Sequence, residues 1–136
     1  MKVKINDAKK GNNQGVKKSA RIRRDFEKFI LNEDHPCIMA KTVFSMDQVE
    51  LNTYQDFGSL ATARKLIKDL QEYIASYDFE SNDFKTFLAV FPDSPKYSEI
   101  GFEKVLWKQL ENLHKVDNVD WDHEVSSDPD SEHFSF

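Results

Sequence analysis

Two consecutive stretches decide the fold class. The first is Ser59-Leu60-Ala61-Thr62-Ala63-Arg64-Lys65-Leu66-Ile67-Lys68-Asp69-Leu70-Gln71-Glu72-Tyr73-Ile74-Ala75-Ser76-Tyr77, and the second is Phe84-Lys85-Thr86-Phe87-Leu88-Ala89-Val90-Phe91. Leu60, Ala63, Leu66, Ile67, Leu70, Tyr73, Ile74 and Tyr77 recur at helical spacing, with Arg64, Lys65, Lys68, Asp69 and Glu72 on the opposite side. Ser59 stands where an N-cap is needed, so a helix is predicted from Leu60 to about Tyr77. The run Phe87–Phe91 is continuously apolar and is bounded by acids and by Pro92, which reads as a central strand. An amphipathic helix feeding a buried strand implies an α/β (α+β) fold with helices packed on a small sheet.

The flanking sequence extends this pattern in both directions. Val49-Glu50-Leu51-Asn52-Thr53-Tyr54 roughly alternates and reads as a short strand. Upstream, Ser19 reads as an N-cap, with Ile22, Phe26, Phe29 and Ile30 forming the stripe of a helix that ends near Asn32. Pro36 disfavours helical geometry at His35 and suits a first helical position, so a second short helix is predicted over 37–45. Its apolar set, Ile38, Met39, Val43 and Phe44, is also compatible with a buried strand. Downstream, Ser98 caps a predicted helix to about Val116, with Phe102, Val105, Leu106, Gln109, Leu110 and Leu113 inward. Phe134 and Phe136 alternate about Ser135 as the first residues of a strand would. The expected organisation is a flexible basic leader over 1–18 and one domain over 19–136. Its sheet is expected to be incomplete and the domain truncated at the C-terminal end.

Composition bounds the function classes. The chain has 136 residues, one cysteine and a formal net charge of −5. It has no apolar run long enough for a membrane span, and its basic N-terminus lacks the apolar middle of a secretory signal. A single cysteine makes no internal disulfide and fits a cytoplasmic protein. Charge is uneven: residues 1–24 carry nine Lys or Arg and one acid, whereas residues 117–133 carry seven acids and no Lys or Arg. No aromatic residues interleave the lysines of the basic arm, which disfavours nucleic-acid binding and favours a solvated leader. The acidic stretch lacks the ligand order of a calcium loop and also reads as solvated.

A few side chains could carry chemistry. Cys37, after Pro36 and near a helix start, is either a reactive thiol or soft metal ligand, or a small buried hydrophobe. His114 lies beside the apolar stripe of its helix and three residues before Asp117. A carboxylate at that spacing can orient an imidazole; the plainer reading is a C-terminal histidine that complements the helix dipole. Trp107 and Trp121 either wall a planar ligand or anchor the core. His123 and His133 fall in the acidic stretch and read as solvated. Nucleotide-binding glycine motifs, the serine-hydrolase elbow and paired-cysteine zinc motifs are all missing from the sequence.

Taken in order, these residues resemble the YqcI/YcgG family. The likeness runs from Phe26 and Phe29 through Pro36-Cys37-Ile38-Met39-Ala40-Lys41 to Tyr54-Gln55-Asp56-Phe57. It continues through the leucine-rich helix and Phe87–Phe91 to Trp107, Leu110, His114, Asp117 and Trp121, and closes on Asp128-Pro129 and Phe134-Ser135-Phe136. The resemblance implies a heme b protein related to heme-dependent oxygenases that N-hydroxylate guanidine groups of arginine-like small molecules. In such chemistry heme activates oxygen and the protein supplies an axial ligand. His114 and Cys37 are the heme-ligand candidates, and Asp117 is the candidate partner for a substrate guanidinium. The resemblance assigns no catalytic residue, no metal beyond heme iron and no electron donor. It also implies a longer protein than this chain. The alternative is a non-catalytic or truncated member acting as a binding protein, with an open sheet edge able to pair in a homo-oligomer.

Overall fold

The computed structural model describes residues 13–119, 126 and 128–132. Its elements are α1 (Asn13–Ile30), α2 (Ile38–Ser45), β1 (Val49–Thr53), α3 (Leu60–Ala75), β2 (Thr86–Val90) and α4 (Glu99–Asp117). The protein is a mixed α/β chain, and every element read from the sequence within the described residues is present. Most of the leader, Trp121, His123, His133 and the strand-like Phe134-Ser135-Phe136 lie outside the described residues.

The chain divides into two compact units. One holds the residues up to Gln55 together with Leu70–Ser94; the other holds Asp56–Asp69 and the residues from Pro95 onward. The strands belong to the first unit. β1 and β2 pair in parallel, with Val49 opposite Thr86 and Thr53 opposite Val90. Parallel neighbours need a crossover, and α3 lies within it. Strand alternation puts Val49, Leu51, Leu88 and Val90 on one face and Glu50, Asn52, Phe87 and Ala89 on the other. Ile30 of α1 and Val43 and Phe44 of α2 pack with Val49 and Leu88 to form the core. On the opposite face the Tyr73 ring of α3 meets Phe87, with centroids 5.5 Å apart.

Three expectations are corrected. The α1 helix begins at Asn13, not Ser19, so Asn13, Gln14 and Gly15 lie in it and not in a flexible leader. Ser19 is an interior residue whose hydroxyl donates to the Gly15 carbonyl (3.0 Å). Lys18 and Arg23 explain why the early turns hold. Their side chains pair with Asp93 (2.6 Å) and Asp47 (2.8 Å), tying α1 to two loops of its own unit. Secondly, β2 is not a central strand among the described residues: β1 is its one neighbour, and Ala89 is exposed. Thirdly, Phe26, Phe29, Ile74 and Phe102 stand on predicted inward stripes yet are exposed. An apolar stripe wider than the surface available to cover it leaves its margins in solvent.

In the second unit, side-chain amides fix the loop before α3. Gly58, at φ +91°, donates its N–H to Gln109 Oε1 (2.7 Å). Gln109 Nε2 donates to the Ser59 carbonyl (3.3 Å), and Asn112 Nδ2 donates to the Gly58 carbonyl (3.0 Å). Gln109 and Asn112 are buried, and both ends of the Gln109 amide and the Asn112 Nδ2 meet backbone groups that also need a partner. Phe57 stacks beside Phe102 at 5.7 Å.

Candidate functional site

Cys37 is the N-cap of α2. Its backbone is extended and its Sγ accepts from Ala40 N–H at 3.4 Å. Pro36 helps to place it there by excluding helical geometry one residue earlier, at His35. The thiol is exposed, which overturns the reading of Cys37 as a buried hydrophobe. A cap residue sits outside the first turn, and its side chain folds back over that turn instead of entering the core. Beside it, His35 Nδ1 accepts from Cys37 N–H at 3.3 Å, and the imidazole meets the Phe29 ring edge-on at 5.2 Å. This corner holds an accessible sulfur and an imidazole on an exposed apolar margin. Neighbouring Ile38 is 77% exposed.

His114 and Asp117 share the last turn of α4, three residues apart, so they are neighbours on one helix surface. Ser98 begins that helix by accepting from Gly101 N–H (3.1 Å), and Asn118 ends it in the left-handed conformation at φ 57°. His114 is exposed, Asp117 half-buried and Trp107 half-buried. A basic residue in the last turn complements the helix dipole, which accounts for the position of His114 without a ligand. Cys37 belongs to the first unit, and His114 and Asp117 to the second. Among the described residues no three His, Cys, Asp or Glu side chains gather as metal ligands. No described helix is long and apolar enough to cross a membrane.

The sequence reading missed the Glu50 face of the sheet. Glu50 Oε1 accepts from Asn52 Nδ2 at 3.3 Å, and Asn52 is buried. Four rings run in sequence beside this pair: Phe87 to Tyr73 at 5.5 Å, Tyr73 to Tyr77 at 5.9 Å, and Tyr77 to Phe79 at 4.8 Å. Burial, then the nearby Tyr77 and Glu50, raise the Tyr73 phenol above its ordinary value of 10.0. The available signal was alternation: Val49 and Leu51 claim one face, which leaves Glu50 and Asn52 together on the other.

The described residues form a mixed α/β protein of four helices and a two-stranded parallel sheet. A family model described as the YqcI/YcgG family matches residues 26–136. The chain belongs to the YqcI/YcgG family. No match was found among curated proteins or solved structures.

Proposed function

We propose that this chain is a heme-binding protein related to the heme-dependent oxygenases that N-hydroxylate guanidine groups of arginine-like small molecules. The observation that carries the reading is family membership over residues 26–136. Cys37 and His114 are the candidate axial ligands, and both are accessible donors. Asp117 is the candidate guanidinium partner, since a carboxylate can pair with both arms of that planar cation. Bound heme would supply oxygen activation. Both donors are exposed, so the described residues alone do not fit a closed heme pocket.

The test is a hemin titration of the purified chain followed by absorption, with Cys37→Ser and His114→Ala beside it. The Ser variant keeps a capping oxygen, so lost heme binding there reports on the sulfur and not on an unravelled α2. A saturable Soret band near one heme per chain, abolished in one variant, supports the reading and names the ligand. Oxygen-dependent consumption of an arginine-like guanidine would then establish turnover. A broad spectrum that never saturates in any variant counts against heme binding. The second reading, a non-catalytic binding protein, is favoured by exposed apolar side chains such as Phe29 at 63% and Ile100 at 66%.

A further inference from the structure

We propose that the Glu50 face of the sheet, with the rings of Tyr73, Tyr77 and Phe79, is a binding site for an alkylammonium cation. Strand geometry places Glu50 and Asn52 on the same side of β1, and Glu50 is the register partner of Phe87 in β2. Phe87 carries Tyr73 at 5.5 Å, so the carboxylate and the ring series occupy one face. Tyr77 is pinned by its hydroxyl, which donates to the Asp83 carbonyl at 3.3 Å. Phe79, 73% exposed, forms the open end of the series.

Charge identifies the occupant. Glu50 is half-buried, and among the described residues no Lys or Arg pairs with it. Its one polar contact there is the Asn52 amide, which is neutral. A carboxylate held against aromatic rings without a counter-charge attracts a cation, and ring faces add to that attraction. The neighbouring segment deepens the negative field: Asp78, Glu80 and Asp83 stand against Lys85 alone. Geometry favours ammonium over guanidinium. The Asn52 amide already takes one lone pair of the carboxylate, so a planar fork would have to align with the sites that remain, whereas a compact or methylated ammonium is attracted by the charge and by a ring face from any direction.

The site is independent of heme, so its failure and that of the heme reading are separate. Isothermal titration calorimetry of the full chain with tetramethylammonium chloride tests it, with sodium chloride held at matched ionic strength and tert-butanol as the neutral isostere. Saturable binding of the cation is expected, with none for the alcohol. Glu50→Gln, which keeps the side-chain volume, should weaken affinity about tenfold, and Phe79→Ala, which removes the ring at the open end of the series, should weaken it about threefold. Circular dichroism confirms that each variant is folded. A short peptide acetylated at its N-terminus and carrying a free lysine ammonium distinguishes the sources: tighter binding than tetramethylammonium assigns the site to a protein side chain, and weaker binding to a free small molecule. The proposal is overturned by equal heats for cation and alcohol, by unchanged affinity in Glu50→Gln, or by methylguanidinium binding more tightly than both ammonium probes.

Discussion

At Gly58 the backbone leaves little freedom for a side chain. Its φ of +91° is a region that side chains rarely adopt, and a Cβ there would stand 3.0 Å from Val105 Cγ1. Gly58→Ala should therefore cost about 1–3 kcal/mol, read from the urea midpoint at constant slope. Gln109→Leu keeps apolar volume but strips both hydrogen bonds from the Gly58–Ser59 backbone. We expect a loss of about 2–3 kcal/mol, with an unchanged midpoint showing that the amide contacts are dispensable. Gln109 was legible in the sequence only as a position on an inward stripe. That it reaches a backbone fifty residues away could not be read, because helical periodicity reports burial and not partners. Tyr73 gives a prediction in the alkaline range. Its raised value means the folded chain holds the phenol proton after the unfolded chain has begun to lose it. Stability is then complete below pH 10.0 and falls as pH rises through the folded-state value. Tyr73→Phe should flatten that alkaline decline in thermal melts recorded at increasing pH.

At the scale of elements, α2 is the informative case. Sulfur is a weak acceptor, so Cys37 caps the helix at 3.4 Å with less effect than a hydroxyl would have. Cys37→Ser should raise stability by about 0.5 kcal/mol, whereas Cys37→Ala should lower it by a similar amount. Opposite shifts in the denaturation midpoint establish the cap, and equal shifts exclude it. The sequence located α2 because Pro36 punctuates the chain, but it left helix and strand both open for the apolar set. The structure decides for helix, with Val43 and Phe44 buried and Ile38 and Met39 exposed. The start of α1 was misplaced for a related reason. Ser19 has the chemistry of a cap wherever it stands, and the pairs that Lys18 and Arg23 make with distant acids leave no local trace.

For the whole molecule, composition and periodicity gave the class, and the order of short motifs gave the family. The candidate site was less legible. Cys37, His114 and Asp117 were singled out by residue type, while the Glu50 face emerged only when strand register set it beside Tyr73 and Phe87. Charge leads to one expectation at this scale. With a sequence pI near 5.4 and exposed apolar side chains such as Phe29, Ile38 and Phe79, repulsion between molecules vanishes at mildly acid pH. Turbidity of a concentrated solution should peak close to pH 5.4 and fall on either side. A flat profile would mean that the apolar margins do not self-associate.

The parallel pairing of β1 and β2 also bears on how the chain reaches this state. An antiparallel pair can zip from a tight turn, but each partner pair here is separated by the whole crossover that contains α3. Loop closure must therefore precede any reward from the ladder, and the rate of strand pairing is tied to how early α3 forms. Helix-promoting changes on the solvent side of α3 would accelerate folding, while changes confined to the strands would act chiefly on the rate of unfolding.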